Sequence, residues 1–204
     1  MDTRNISVAL PGLKLKGKRD YLQGPDILVA ALRCLSVEYP SSDITAIDIV
    51  FHGMARAGLT IAEISPPGIE PTAQLSCRID GDRKKFALFE DGRSITERCE
   101  YPEENIVRVT DIQVQTASAT SSDVLPYSNI ERWVAMLKAL HIALYPELRG
   151  KWLFVRGKFS HYQDAYAKDV RHQIVVEANF NNKLTRSALM IDGERLGDMY
   201  FSLE

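Results

Sequence analysis

The sequence contains only three cysteines, Cys34, Cys77 and Cys99, and none of them forms a CxxC pair. An odd number of cysteines without that spacing argues against a disulfide framework or a structural zinc site, and it favours a reducing compartment. The four histidines show no metal-ligand spacing such as HxxxH. We therefore expect neither a metal site nor structural disulfides.

Long apolar runs are also missing. No stretch approaches the ~18 apolar residues of a membrane span, and the first residues, MDTRNISVALPG, lack the apolar core of a signal peptide. From these absences we expect a cytoplasmic protein without a membrane span.

Basic charge is not in excess either, because the formal net charge is −2. Nucleic-acid binding depends on neutralising phosphates with Lys and Arg, so we expect no nucleic-acid partner. The longest basic cluster, residues 14–19, alternates with Leu13, Leu15 and Gly17, which is typical of the outer face of a strand. A second interpretation is that this cluster holds the phosphate of coenzyme A or of a carrier protein. No P-loop, GxGxxG motif or GxSxG elbow occurs.

The sequence does contain an internal repeat. Residues 29–35, VAALRCL, align with residues 134–140, VAMLKAL, at an offset of 105 with four of seven positions identical. Both segments have broad apolar surfaces typical of buried helices, and both are followed by Tyr-Pro, at Tyr39 and Tyr145. Proline stops a helix, so the two predicted helices end at equivalent points.

Predicted strands surround each helix in the same order. One strand precedes each helix, and three or four antiparallel strands follow it, with Asp-Gly turn signals at Asp91 and Asp192. The predicted strands are 6–16, 44–51, 59–64, 73–79 and 85–89 in the first half, and 106–116, 151–159, 172–180 and 185–191 in the second. We therefore predict two domains, residues 1–98 and 99–204.

One segment carries a resemblance to a known family. Residues 51–61, FHGMARAGLTI, are similar to the Phe-x-x-Pro-Ala-x-x-Gly-Asp-x-Leu strand of hotdog-fold enzymes, although Met54 replaces the proline and Leu59 the acidic residue. The loop 18–26 lies just before the helix, where that superfamily has its active-site loop. The resemblance implies an α+β fold: a tandem, or double, hotdog in which each half is a long helix wrapped by a curved antiparallel sheet. It also implies that the halves pack as one intramolecular pair.

The resemblance implies acyl thioester chemistry on acyl-CoA or an acyl carrier protein, so coenzyme A or phosphopantetheine would be part of the substrate and no other cofactor is expected. Hotdog dehydratases use a histidine before the helix and an acid on it, but Ala30 and Ala135 occupy the acid positions here. We therefore favour thioesterase-like hydrolysis. A variant dehydratase-like lyase of fatty acid or polyketide-type metabolism and a non-catalytic acyl-binding protein remain alternatives, and homo-oligomerisation stays open.

Three residues are candidates for catalysis. Asp26, equivalent to Glu131 at the 105 offset, starts the first helix and could activate water, although acids there are also favoured by the helix dipole. Asp20 lies in the same loop and could do the same, or be a solvated loop acid. His52 follows Phe51 on a strand and points to the opposite face, where a catalytic role and a surface position both remain open.

Substrate-binding candidates lie in the two loops before the helices. The Gly24 N–H could polarise a thioester carbonyl, since glycine allows close approach. In the first loop the remaining candidates are Arg19, Tyr21 and Gln23, and in the second they are Tyr127, Ser128 and Asn129. Among the other histidines, we expect His141 to be a core residue and His172 to be exposed to solvent.

Overall fold

The computed structural model describes residues 6–64, 67–101, 103–123, 125–161 and 170–204. It divides into two compact units, Met1–Tyr101 and Pro102–Glu204. Each unit combines one long helix with an antiparallel sheet, which confirms the predicted α+β class.

In unit 1 the sheet order is β1-β4-β6-β5-β3, and β2 and β7 form a separate two-stranded parallel pair. Only β3 and β5 have the bounds predicted from sequence, and β6 is longer than expected. The elements are β1 (Ser7–Ala9), β2 (Leu15–Lys16), α1 (Gly24–Glu38), β3 (Ile44–Phe51), β4 (Ala57–Ala62), β5 (Ala73–Ile79), β6 (Asp82–Ser94) and β7 (Arg98–Cys99).

Helix α1 has the limits that its sequence indicates. Pro25 lies in the first turn, where its missing N–H costs no helical hydrogen bond, and Tyr39 caps the C-terminus directly before Pro40. The helix is buried over most of its circumference, and Arg33 lies on the exposed stripe. The buried residues are Pro25, Ile27, Leu28, Val29, Ala31, Leu32, Cys34 and Leu35.

One predicted turn in unit 1 is wrong. Asp91 and Gly92 lie inside β6, where the register with β4 jumps from Ala57↔Ser94 to Leu59↔Glu90. The extra residues form a bulge, which Gly92 accommodates with φ +79°. The tight turn of β6 lies at its other end. There Asp80 and Gly81, with φ of +51° and +88°, join β5 to β6.

In unit 2 the sheet order is β10-β13-β12-β11-β9-β8. The turn predicted at Asp192 and Gly193 joins β12 to β13, with φ of +51° and +85°. The elements are α2 (Glu103–Arg108), β8 (Asp111–Gln113), a 3₁₀ turn (Val114–Thr116), β9 (Ser118–Ser121), α3 (Asn129–Leu144), β10 (Trp152–His161), β11 (His172–Phe180), β12 (Leu184–Ile191) and β13 (Glu194–Leu203).

The strand predicted at 106–116 forms only at its centre, as β8 (Asp111–Gln113). Its first residues belong to α2, whose first turn contains Glu103 and Glu104, and only Ile106 of this helix is buried. Acidic residues favour a helix start, and a single apolar anchor docks this short helix against α3. Alternation of apolar and polar residues therefore did not decide the local structure here.

The strand order differs between the units. In unit 1, β3 pairs with β5 and β4 pairs with β6, whereas in unit 2, β10 pairs with β13 and β11 pairs with β12. One feature is shared despite this difference. The strands β6 and β12, whose sequences match across the repeat, each pair with the second strand after the long helix, which is β4 in unit 1 and β11 in unit 2.

Candidate functional site

The start of α1 lacks the side-chain cap that most helices use. Gln23 occupies the N-cap position with extended backbone, φ −80° and ψ 137°, and its side chain makes no capping hydrogen bond. The first N–H groups of a helix have no intrahelical acceptor, so an uncapped start offers donors to a ligand. Gly24 is the first helical residue and is half-buried, which leaves its backbone open to close approach.

Asp26, in the same first turn, forms an ion pair with Lys16. The Nζ–Oδ1 distance is 2.7 Å, and the side chains are 8% exposed for Lys16 and 21% for Asp26. Lysine is almost never this buried unless it is paired. The interpretation of the basic cluster as an outer strand face is therefore wrong for Lys16. Lys14, which directly precedes β2, is exposed and pairs with Glu97 at 2.9 Å.

Gln23 is oriented by its neighbours. Arg19 donates from Nη1 to the Tyr21 hydroxyl at 2.8 Å and to Gln23 Oε1 at 3.5 Å, and its guanidinium lies 4.4 Å from the Tyr101 ring centroid. With its oxygen facing Arg19, the Gln23 amide turns its NH₂ group away, and this buried Nε2 finds no partner among the described residues. A buried donor without a partner calls for an explanation, and a ligand oxygen supplies one.

The loop before α1 is hydrogen-bonded to Arg98 and Cys99, near the C-terminal end of unit 1. Arg98 donates from Nη1 to the carbonyl oxygens of Gly17 and Arg19, both at 2.9 Å. The Gly17 N–H donates to Cys99 O at 2.9 Å. These contacts hold the loop on both sides of Lys18, so residues distant in sequence position the candidate site.

The other two candidates for catalysis lie at the surface. The Asp20 side chain is 76% exposed and faces Arg56 at 3.5 Å from Oδ2 to Nε. His52 is exposed just past the end of β3, and its backbone N–H donates to Thr72 O at 2.8 Å. Neither position offers the burial that strengthens electrostatic catalysis, so the geometry favours Asp26 over both.

The start of α3 is capped. Ser128 Oγ accepts the Glu131 N–H at 3.2 Å while the Glu131 carboxylate accepts the Ser128 N–H at 3.1 Å, which is a capping box. Glu131, the counterpart of Asp26, therefore caps the N-terminus of α3. Of the other predicted residues, the Tyr127 hydroxyl accepts from Asn105 at 3.1 Å, and Asn129 Oδ1 lies 2.9 Å from His172 Nε2.

The prediction that His172 is exposed is wrong. The residue is fully buried, and burial, aided by the positive charge of Arg132, lowers its pKa to about 4. Its ring lies edge-on to Trp133, with centroids 5.9 Å apart. A sequence signal existed, because His172 and the buried Ile174 lie on the same face of an alternating strand.

The prediction that His141 is a core residue is confirmed. Its side chain is fully buried in α3, and Nε2 lies 2.7 Å from Thr185 Oγ1. Burial lowers its pKa to about 4, so the ring is neutral and structural at physiological pH.

Within the described residues, no group of three or more His, Cys, Asp or Glu side chains is arranged to hold a metal ion. No helix in the same part of the chain is long and apolar enough to cross a membrane.

By sequence, no protein-family model and no curated protein matches the chain. By structure, it is similar to the dehydratase domain of PpsC from Mycobacterium tuberculosis in complex with C12:1-CoA, with TM-score 0.56 and 13% identity over 98% of this chain and 93% of that one. It is also similar to a tesB protein from Mycobacterium avium subsp. paratuberculosis, with TM-score 0.53 and 11% identity over 95% and 91%. An N-terminal dehydratase of the difficidin assembly line gives TM-score 0.51 and 9% identity over 98% and 93%.

The structure therefore defines an α+β protein built from two helix-and-sheet units with a candidate polar site at one helix start. More particularly, the matches over nearly the whole chain confirm the double-hotdog fold that residues 51–61 suggested.

Proposed function

We propose that this protein processes acyl thioesters of coenzyme A or of an acyl carrier protein, most simply by hydrolysis, at the start of α1. The fold is shared with proteins named as dehydratases, one of them in complex with C12:1-CoA. The observation that carries the proposal is the partly buried Asp26 carboxylate, held by buried Lys16 beside an uncapped helix start.

In this proposal Asp26 accepts a proton from a water molecule as the water attacks the thioester carbonyl carbon. The Gly24 N–H and the Gln23 NH₂ donate to the carbonyl oxygen as it becomes an oxyanion. Collapse of the intermediate breaks the C–S bond, and the proton on Asp26 passes to the leaving thiolate. The products are a carboxylic acid and a thiol.

Replacing Asp26 tests the proposal directly. We expect Asp26→Asn to lower kcat by about 10²–10⁴-fold in a thiol-release assay on a panel of acyl-CoA and acyl-carrier thioesters, since it removes the general base. Asp20→Asn is the matched control, because Asp20 is a solvent-exposed acid of the same loop, and its turnover should stay within about twofold. Equal turnover in wild type and Asp26→Asn would overturn the assignment.

A non-catalytic acyl-binding protein is the second candidate. It is favoured because the acid at each helix start already has a partner within its own unit. Asp26 pairs with Lys16, and Glu131 accepts the Ser128 N–H. Native mass spectrometry after incubation with an acyl thioester separates the two functions, because a binder retains the intact ligand. The same spectra reveal loss of water from a β-hydroxyacyl thioester, which would indicate the dehydratase-like alternative.

A further inference from the structure

We infer that Lys16 is a positioning residue for the proposed reaction: it holds the Asp26 carboxylate, through Oδ1, in the orientation in which Asp26 meets water and substrate. This inference rests on the proposed function and adds to it a residue from outside the loop and the helix that carry the other groups. Lys16 itself contacts Asp26 rather than the reacting atoms.

The position of Lys16 is fixed by its backbone on both sides. Leu15 donates its N–H to Glu97 O at 3.0 Å, and Gly17 donates its N–H to Cys99 O at 2.9 Å. These bonds belong to the parallel pairing of β2 with β7, in which Lys16 lies opposite Cys99. The side chain therefore leaves a hydrogen-bonded strand and reaches a carboxylate on the first turn of α1.

Burial explains why this contact can orient the carboxylate. An exposed pair exchanges its partners with water and is worth little, whereas a charge taken out of water keeps its partner because few other groups can compensate it. The Lys16 side chain is 8% exposed, so its ammonium stays with Asp26 Oδ1 at 2.7 Å. The Asp26 side chain is 21% exposed overall, but its second oxygen, Oδ2, is buried, so a water molecule that meets this oxygen has to enter the site.

Lys14 supplies a matched control two residues away. It carries the same charge and also pairs with an acid, Glu97 at 2.9 Å, but its side chain is 45% exposed and that of Glu97 is 71% exposed. Removing Lys14 changes the net charge as removing Lys16 does, without touching Asp26. A difference between the two variants therefore reports on the buried pair and not on overall charge.

The test compares Lys16→Met, Lys16→Arg and Lys14→Met by steady-state kinetics on the best thioester of the panel. We expect Lys16→Met to lower kcat on the order of 10–100-fold with little change in KM, since misplacing a catalytic group has this effect. Lys16→Arg, which keeps a cation that can reach the carboxylate, should recover most of kcat, and Lys14→Met should match wild type. Circular dichroism establishes that each variant is folded.

The outcomes separate this inference from the function on which it rests. If Asp26→Asn abolishes turnover while folded Lys16→Met keeps the wild-type kcat, the positioning role is wrong and the proposed function stands. If Lys16→Met fails to fold, Lys16→Arg decides: wild-type kcat supports positioning by a cation, and loss of kcat in a folded protein overturns it. If wild type itself turns over no thioester, the proposed function and the inference both fail.

Discussion

At the scale of single residues, His141 shows how a polar side chain becomes part of a core. Its ring lies 4.4 Å from Trp152 and 5.3 Å from Phe201 between centroids, with interplanar angles of 21° and 29°. The hydroxyl of Thr185 lies within hydrogen-bond distance of Nε2, which offsets part of the desolvation cost. Protonation would place a positive charge on this buried ring, so low pH lowers the stability of the folded state.

The pH dependence of stability follows from that burial. The folded His141 has a pKa of about 4 against a reference of 6.5, so between these values the unfolded chain binds more protons and stability falls as pH falls. The contribution of neutral, buried His141 to the free energy of unfolding is therefore fully present above about pH 6.5. We expect His141 to account for a loss of about 2 kcal/mol between pH 7 and pH 5.

The double variant His141→Phe with Thr185→Val isolates this contribution, because it removes both polar partners and preserves the apolar packing. Urea unfolding at pH 7, 6 and 5 should show a shallower decline for the variant than for wild type. Parallel declines would mean that His141 is not the group responsible.

At the scale of elements, the close approach of β10 and β13 depends on a glycine. Gly197 lies opposite Phe159 in the pairing of these strands. A Cβ atom built on Gly197 would lie 2.0 Å from the backbone oxygen of Lys158, a distance that no backbone adjustment of a few tenths of an ångström relieves. Glycine is therefore required here by contact and not by backbone conformation.

Gly197→Ala should lower the free energy of unfolding by about 1–3 kcal/mol, because the added methyl group overpacks the strand pair. Gly53→Ala is the control, since a Cβ there meets nothing within 4 Å, and its effect should stay within about 0.5 kcal/mol. Urea denaturation of both variants measures the difference. Equal stability of the two variants would show that β10 and β13 can separate without cost.

At the scale of the whole molecule, the two units use their long helices differently. In unit 2 the first turn of α3 is satisfied by the capping box of Ser128 and Glu131. In unit 1 the corresponding turn has no side-chain cap, and a buried amide of Gln23 lacks a partner among the described residues. Under the proposed function, a doubled unit would allow one helix start to serve stability and the other to bind a ligand.

Two substitutions test the division. Ser128→Ala should destabilise the protein by about 1 kcal/mol, the usual worth of an N-cap, and leave thioester turnover unchanged. Gln23→Leu, which keeps the side-chain volume but removes the unpartnered donor, should retain stability and lower kcat/KM by about tenfold or more. Thermal unfolding and kinetics of both variants give the comparison, and the reverse pattern would assign the ligand site to unit 2.

Much of the fold could be predicted from sequence because its signals are local. Helix periodicity, the Tyr-Pro stops and the Asp-Gly turn at Asp192 each depend on neighbouring residues, and they placed α1, α3 and most strands. The double-hotdog fold, suggested by residues 51–61, is confirmed by structural similarity over nearly the whole chain. The position of Gln23, Gly24 and Asp26 at a helix start could also be predicted, since the start of a helix is itself a local feature; their role in a site stays a prediction.

Only the tertiary structure decided which polar groups are buried together. Lys16 looks like an exposed strand residue until β2 pairs with β7, from the far end of unit 1, and brings its ammonium to Asp26. The ends of the segment 106–116 became a helix and a 3₁₀ turn although apolar and polar residues alternate along it. Burial depends on residues remote in the chain, and burial is what turns an ordinary acid in the first turn of a helix into a candidate catalytic group.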